Sequence, residues 1–438
     1  MKTSRKLLFT VVALSLAVVP LLGTGAALAS HNGASSLSAS IRLAVFGDKT
    51  LYPFLYKIFT HMHRSYPKIK VKIEPWQSTD RVKMVTEIAT GTGPDVVQVG
   101  DIDLPFFVSK NAFASLDPYM KRDHISKDLY YPTLYKLGVV DGKLYALTKD
   151  YATLAIFYNK DLFKAAHVPF PKAGWTWNDF VQDARKLTVV KGGRPVQWGF
   201  TLAGGFSDWT RGIEPLVRDF GGRLASPDGK KIDGYMNSPQ TVKAVQFYVD
   251  LYNKFHLAPT PGQRKAFQNL DLFSSGKVAM DWDGPWEITT WLQNKNFHFG
   301  VAPMPSYNGK AYSNVCWSGF AMNAHSNQKE AAWQVTKALG GPDGSRVFAQ
   351  WGLPGVKSVA TQLHVDKEPY RGLFIQEIKN VPGTPADMSN PDGGASVGDP
   401  FTQAIDHLLA RPGSSVKAAL DQAARTGQQE LDNFMSGQ

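Results

Sequence analysis

Residues 145–163 read YALTKDYATLAIFYNKDLF, and polar side chains there interrupt what would otherwise be a buried strand. Lys149, Asp150 and Tyr151 stand directly before the apolar run at 154–158. Strands buried on both faces are nearly continuous apolar runs, so polar residues at this point indicate contact with solvent. The stretch therefore predicts a strand that passes a solvent-filled cleft.

Length and composition describe a folded protein with more than one core. The chain has 438 residues, 43% of them hydrophobic and 19% charged, which suits two lobes of ordinary domain size. Its formal net charge of +11 predicts an evenly solvated basic surface, and the alternative is a loose attraction to anionic wall polymers or lipid headgroups that salt would screen. The sequence has no dense Lys/Arg cluster with interleaved aromatics, so nucleic acid is not expected as a partner.

The first 29 residues have the pattern of a secretory signal peptide. Basic residues precede an apolar run at 7–22, and small residues at 27 and 29 predict cleavage near Ala29. A membrane anchor is the competing interpretation, but the run is short for a spanning helix. Cys316 is far from the signal, so no lipid-modified cysteine follows the predicted cleavage site. We expect a chain exported across the cytoplasmic membrane to a periplasm, the extracellular space or the cell surface.

Strand and helix patterns alternate over residues 41–99. The predicted order is strand, helix, strand, helix, strand, at 41–46, 51–62, 69–74, 80–89 and 95–99. Such an order predicts a mainly parallel sheet with helices on both faces, which is an α/β fold. Farther on, Thr176 and Ser238 are predicted to cap helices that begin at Trp177 and Pro239. Two more helices are predicted at 328–339 and 414–434.

Carboxylates and tryptophans follow several predicted strands. Open α/β sheets bind ligands beyond the carboxyl ends of their strands. Carboxylates accept strong hydrogen bonds from sugar hydroxyls, and a flat indole ring covers the C–H face of a pyranose. Aspartates at strand ends also form turns and cap helices, so for Asp48 capping and ligand contact both stay open. The candidates beyond Asp150 and Tyr151 are Asp48, Lys49, Asp101, Asp103, Asp208, Trp209, Asp281, Asp283, Trp286 and Trp317.

Other patterns leave alternatives open. Asp281 and Asp283 could be the two carboxyls of a glycosidase, or together hold one sugar unit. Trp291, Trp333 and Trp351 lie on helical patterns and are expected in the core. We found no metal-ligand or cofactor motif, so no cofactor is expected.

Several phrases of the chain resemble a known family. They are TGTGPDVVQV at 90–99, WTWNDF at 175–180, SSGKVAMDWDGPWEI at 274–288 and SGFAMNAHSNQKEAAWQVTKAL at 318–339, together with the phrase around 145–163. From about residue 41 to 434 the chain is similar to the family 1 extracellular solute-binding proteins, which serve ATP-driven importers. The resemblance implies a two-lobed periplasmic-binding-protein fold, type II-like, whose chain crosses between the lobes near 148–151, 297–300 and 351–357. Lobe 1 would then comprise 30–149 and about 300–352, and lobe 2 would comprise 150–299 and about 353–438.

The resemblance also implies a function. It predicts a monomeric, non-catalytic receptor that captures a carbohydrate in the cleft and delivers it to an ABC permease with a cytoplasmic ATPase. The contacts it carries over are Asp48 and Lys49, Asp101 and Asp103, Asp150 and Tyr151, and the stacking residue Trp286. The phrase Cys316-Trp317 replaces a usual Gly-Gly, so the sugar itself is not inherited. Alternatives are a glycerol phosphate diester or polyamine receptor of the same fold, or a secreted glycosidase.

Overall fold

The computed structural model describes residues 36–47, 49–202, 209–267 and 270–437. The predicted signal peptide, Asp48 and Asp208 lie outside the described residues. No helix within the described ranges is both long enough and apolar enough to span a bilayer.

Strands are distributed along most of the described chain. Their bounds are β1 (Ala39–Phe46), β2 (Ile69–Trp76), β3 (Val96–Gly100), β4 (Val139–Val140), β5 (Lys143–Leu144), β6 (Ala146–Thr153), β7 (Ala155–Asn159), β8 (Val189–Lys191), β9 (Arg194–Leu202), β10 (Val278–Asp283), β11 (Phe299–Ala302), β12 (Val315–Met322) and β13 (Leu353–Pro354).

Helices separate most of these strands and form the C-terminal part of the chain. Their bounds are α1 (Tyr52–Met62), α2 (Arg81–Ala89), α3 (Asp103–Ser109), α4 (Asp117–Arg122), α5 (Pro132–Leu137), α6 (Lys160–Ala165), α7 (Trp177–Leu187), α8 (Trp209–Asp219), α9 (Pro239–Asn253), α10 (Pro261–Lys265), α11 (Ile288–Trp291), α12 (Lys329–Gly340), α13 (Pro342–Phe348), α14 (Lys357–Gln362), α15 (Arg371–Glu377), α16 (Asp399–Ala410) and α17 (Val416–Ser436).

Two mixed sheets organise the fold. The first sheet has the strand order β13-β6-β12-β3-β1-β2, and the second sheet has the order β11-β7-β10-β9-β8. In the first sheet β1 pairs in parallel with both β2 and β3, whereas β12 runs antiparallel to β3 and β6. In the second sheet β9 and β10 are parallel. The α/β class and the strand–helix alternation predicted from the sequence are confirmed.

The capping residues in the sequence correctly predicted where two helices begin. The Thr176 hydroxyl accepts from the Asp179 N–H, and the Asp179 carboxylate accepts from the Thr176 N–H, so α7 begins at Trp177 with a complete capping box. The Ser238 hydroxyl caps α9 by accepting from the Thr241 N–H at 3.3 Å. Both helices begin where the sequence predicts.

The chain passes between the sheets at defined points. β6 belongs to the first sheet through Thr153, and β7 of the second sheet begins at Ala155. The chain returns between β11 and β12, over residues 303–314. Buried side chains of both sheets, including Val97 and Phe157, share one apolar cluster. The two halves are therefore joined by packed side chains beside the connecting segments, while the predicted lobe boundaries stay a prediction.

Candidate functional site

A cavity of about 710 Å³ is lined by residues of both halves. The first sheet contributes the ends of β1 and β3 and the facing parts of β6 and β12. The second half contributes α8 and the turn after β10. This is the edge of an α/β sheet at which ligands usually bind, and the volume lies within the range of small-molecule sites. Of the sequence candidates, Asp101, Asp150, Tyr151, Trp286 and Trp317 line this cavity.

Arg211 on α8 is the central charge of the cavity, and its side chain is only 6% exposed. Its Nε donates to Asp387 Oδ2 at 2.7 Å, and its Nη1 donates to Asp101 Oδ2 at 2.8 Å and to the Val315 carbonyl at 2.7 Å. Burial opposes the charge, but Asp101 and Asp387 raise the pKa of Arg211 well above its ordinary value. Arg211 therefore stays charged between two carboxylates.

Asp101 connects the two halves across the cavity. It follows β3 of the first sheet, and its Oδ2 also accepts from the Trp317 backbone N–H at 3.1 Å. Its Oδ1 accepts from the Ile102 N–H at 2.9 Å. Arg211 belongs to α8, which packs on the second sheet through Ile213 and its neighbours. The Asp101–Arg211 ion pair is thus a direct polar contact between the halves.

Asp150 forms a second polar group at the cavity wall. Its Oδ1 accepts from Ser318 Oγ at 2.7 Å, and its Oδ2 is paired with Lys149 Nζ at 2.5 Å. The β6–β12 register shifts between Ser318 and Gly319. Irregularities of this kind often lie beside functional sites, where they change the direction of a side chain. At Gly352 a Cβ would lie 3.2 Å from the Asp150 carboxylate, so a larger residue there would crowd this group.

Aromatic rings form much of the remaining wall. Trp286 is partly buried, and its Nε1 donates to Asp283 Oδ2 at 3.2 Å. Trp317 donates from Nε1 to Thr148 Oγ1 at 3.0 Å, and Phe46 stacks on a buried tryptophan at 4.7 Å between ring centroids. Indole rings fixed in this way offer flat apolar surfaces beside polar groups.

Trp351 corrects a prediction, because it lies at the cavity and not in the core. Its side chain is 37% exposed and packs edge-on against Phe54 at 4.2 Å, whereas Trp291 and Trp333 are buried as expected. The helical pattern ends earlier than the sequence suggested, at Phe348, so Trp351 falls in the following turn.

Four candidates lie outside the cavity lining. Lys49 is exposed at the start of a short 3-10 helix, and Asp103 is buried at the start of α3. Asp281 and Asp283 are buried in β10. Asp48 and Asp208 are outside the described residues, and Trp209 begins α8.

The β10 carboxyls are protonated more readily than ordinary aspartates. Burial, and then the neighbouring Asp283, raise the pKa of Asp281 well above its ordinary value. Burial raises the pKa of Asp283 to about 8, opposed by hydrogen bonds from the Gly284 N–H and Trp286. Asp283 thus supports the cavity by holding the Trp286 ring.

Sequence reasoning missed Arg211, Asp387 and Phe46. The strand-end rule was applied to carboxylates and tryptophans, and Arg211 is a helix residue whose partners lie more than 100 residues away. Asp387 lies in a short 3-10 helix and is fully buried. Cys316 also lines the cavity, and burial raises the pKa of its thiol to about 12. Among the described residues no cluster of His, Cys, Asp and Glu could hold a metal ion.

Two α/β halves with a cavity between them define a two-lobed ligand-binding protein. The sequence model of the family described as "Bacterial extracellular solute-binding protein" matches residues 48–345, and the chain belongs to this family. The galactooligosaccharide-binding protein of Bacillus subtilis is 25% identical over 435 residues, which cover 93% of each chain.

Solved structures share the fold. The sugar-binding protein MalE from Xanthomonas citri is similar with a TM-score of 0.76 at 21% identity, covering 91% of this chain and 98% of that one. UgpB from Mycobacterium tuberculosis, solved in complex with glycerophosphocholine, is similar with a TM-score of 0.73 at 17% identity, covering 91% and 100%. The family and the two-lobed fold implied by the sequence resemblance are confirmed.

Proposed function

We propose that this chain is the extracytoplasmic ligand-binding component of an ABC importer and that its ligand is a carbohydrate. The observation that carries the proposal is the cavity between the halves, in which indole rings stand beside paired polar groups. We propose that Trp286 and Trp351 cover the apolar faces of the sugar rings, while Asp101, Asp150 and Arg211 bond to hydroxyls. The galactooligosaccharide-binding relative supports this ligand class.

A phosphate diester is the second candidate, because UgpB shares the fold and Arg211 offers a cation. The charges around Arg211 oppose the binding of a phosphate diester. Two carboxylates, Asp101 and Asp387, already bond this guanidinium, and the third lining carboxylate is Asp150. An anionic ligand would meet net negative charge, so a neutral ligand fits better.

A polyamine also fits less well than a sugar. Polyamines need carboxylates that are free to pair with them, but Asp101 and Asp150 are already held by Arg211 and Lys149. The glycosidase alternative rested on Asp281 and Asp283, which are buried in β10 and do not line the cavity. The family itself consists of solute-binding proteins.

The remaining parts of the proposal follow from the importer role. We propose that the mature chain is a monomer, exported by the predicted signal peptide, and that it delivers its ligand to a permease with a cytoplasmic ATPase. Closure of the two lobes on the ligand would present the surface that the permease binds. We place the lobe boundaries where the chain passes between the sheets, at residues 153–155 and 303–314 and after β13, so the second boundary lies later than the predicted crossing at 297–300.

A thermal-shift screen tests the ligand class. The mature chain would be mixed with maltotriose, galactotriose, diacetylchitobiose, mannitol, glycerophosphocholine and spermidine in turn. A ligand that binds the folded state raises Tm by mass action. We expect a neutral saccharide or polyol to give the largest shift and to be recovered intact. A shift with glycerophosphocholine or spermidine alone would overturn the carbohydrate class, and conversion of the sugar would overturn the receptor role.

A further inference from the structure

We infer that the β8–β9 hairpin is a membrane-contact surface that binds weakly and reversibly to an anionic lipid bilayer. The hairpin comprises β8, the turn at Gly192-Gly193 and the first residues of β9, over residues 189–197. None of these residues lines the ligand cavity. The hairpin surface is therefore additional to the cavity, and its role does not depend on which ligand the cavity binds.

The hairpin projects into solvent from the edge of the second sheet. β8 is the last strand in the order β11-β7-β10-β9-β8, and all three of its residues are exposed. Gly192 and Gly193 have φ values of 55° and 74°, which are the left-handed conformations of a tight two-residue hairpin turn. A Cβ added to either glycine would meet no atom of the described chain within 4 Å, so the tip of the hairpin lies in open space.

The base of the hairpin is held firmly by the second half. Gln197 Nε2 donates to the Leu187 carbonyl at 2.6 Å, and the Gly199 N–H donates to Thr188 Oγ1 at 3.0 Å. The next side chain along β9 after Gln197, that of Trp198, is buried. A bilayer therefore meets a surface that is already ordered, and binding does not have to order a flexible loop.

Three valines of the hairpin are exposed to solvent. The exposed fractions are 36% for Val189, 58% for Val190 and 39% for Val196. Single exposed apolar residues are ordinary, but these three lie close together, and an apolar patch beside charged residues is typical of a contact surface. Apolar side chains in such a patch can enter the boundary between lipid headgroups and acyl chains.

The charged residues beside the valines are all basic. Residues 184–198 contain no Asp or Glu, and their exposed basic residues are Arg185, Lys186, Lys191 and Arg194. Each basic residue near an anionic lipid surface favours binding, and the attraction decreases within a Debye length. The hairpin thus combines an apolar patch with positive charge, which are the two signals of reversible membrane attachment.

Two other partners fit the hairpin less well than a bilayer. A second copy of the chain could extend the sheet at β8, but this strand has only three residues, and the basic side chains of the two copies would repel one another. A soluble polyanion would pair with Lys191 and Arg194 but would leave the valines in water. An anionic bilayer accounts for both the charge and the apolar patch.

The hairpin lies at the end of the second sheet opposite the cavity. β9 begins at Arg194 and runs parallel to β10, whose carboxyl end leads to Trp286 at the cavity. A protein bound to the bilayer by the hairpin therefore holds its cavity away from the lipid. Delivery of a ligand to a permease then requires release from the bilayer, which a weak contact allows.

Sedimentation of the mature chain with lipid vesicles tests the inference. We expect binding to vesicles of phosphatidylcholine and phosphatidylglycerol in equal parts, little binding to pure phosphatidylcholine, and weaker binding as salt is added. Lys191→Gln combined with Arg194→Gln should lower the partition coefficient about ten-fold or more.

Lys121→Gln combined with Lys127→Gln is the matched control. This control removes the same charge from exposed positions of the first half, and its partition coefficient should stay within about three-fold of the wild type. Absence of binding to the anionic vesicles, or an equal loss in the two double variants, overturns the inference. The thermal-shift panel contains no lipid, so either result leaves the proposed receptor function standing.

The valines distinguish a bilayer from a soluble polyanion. Val190→Ser leaves the charge unchanged, and we expect it to lower the vesicle partition coefficient about three- to ten-fold while binding to inorganic polyphosphate stays the same. A Tm equal to that of the wild type would establish that the variant is folded, and Val196→Ser repeats the measurement in β9 if it is not. Vesicle binding of the folded valine variant that equals that of the wild type would show a polyanion surface and overturn the inference.

Discussion

Trp286 is the ring whose removal should weaken ligand binding most directly. It lines the cavity, is partly buried, and is oriented by Asp283. We expect Trp286→Ala to cost about 2–3 kcal/mol of binding free energy, in the range of a buried aromatic contact, with the fold intact. Titration of the best panel sugar measures the loss. Tyr56→Ala, an exposed aromatic on α1, controls for general effects, and an unchanged Kd for the Trp286 variant would remove this residue from the site.

Gly284 sets the position of the same ring. A Cβ on Gly284 would lie 2.1 Å from Cζ3 of Trp286, closer than real side chains approach, so the ring must move. We expect Gly284→Ala to weaken ligand binding about ten-fold or more, since displacement of the ring removes much of the contact that truncation removes. Circular dichroism and Tm would establish that the protein is folded.

Gly262→Ala is the matched control for that variant. Gly262 lies on α10, and a Cβ there would meet only Thr260 Oγ1, at 4.0 Å. Ala is a better helix former than Gly, so this change should leave binding unaltered and Tm equal or higher. Equal affinities of the two alanine variants would show that the Trp286 ring tolerates displacement.

At the scale of elements, the buried carboxyls of β10 make stability depend on pH. Burial raises the pKa of Asp283 from 3.8 to about 8, and it raises the pKa of Asp281 in the same direction. Between about pH 4 and pH 8 the folded state therefore binds more protons than the unfolded state. The stability contribution of these groups is complete below about pH 4 and is lost as the pH rises, at up to about 1.4 kcal/mol per pH unit for each group.

Asp281→Asn tests this pH dependence. An amide cannot ionise, so the fall in stability from pH 4 to pH 8 should become shallower. The free energy of unfolding at pH 8 should rise by more than about 1.4 kcal/mol, the equivalent of one pKa unit. Urea denaturation at several pH values measures it, with the exposed Asp80→Asn as the control substitution. If the free energy of unfolding of Asp281→Asn varied with pH as steeply as that of the wild type, the prediction of a neutral buried carboxyl in β10 would be wrong.

Local signals predicted elements better than they predicted the site. The α7 and α9 starts were predictable because Thr176 and Ser238 bond to backbone groups within three residues. Asp101 could be predicted because it directly follows a strand and the family resemblance includes it. Trp317 was named as a strand-end residue, but it lies within β12. Arg211 could not, because its role comes from partners brought together by the fold. Trp351 was assigned to the core because periodicity does not reveal that a helix ends three residues earlier.

At the scale of the whole molecule, the Asp101–Arg211 ion pair is a contact that joins the two halves across the cavity. Arg211 belongs to α8, which packs with the second half, and Asp101 directly follows β3 of the first sheet. The ion pair is buried, so salt should screen it little. Because the contact joins the halves, it stabilises the arrangement in which they lie together. A ligand then needs to supply only the remaining difference in free energy between the open and closed states.

Asp101→Asn should therefore open the free protein. Asparagine can still accept from the Ile102 N–H, but it lacks the carboxylate charge and the second acceptor that hold Arg211. We expect small-angle X-ray scattering to give a larger radius of gyration than for the wild type, and the best panel sugar at saturation to reduce it. Asp123→Asn is the matched control, since Asp123 pairs with Lys337 and Arg122 within the first half and its loss should not separate the halves. An Asp101→Asn protein with the same radius of gyration as the wild type would mean that packed side chains, and not this ion pair, hold the halves together.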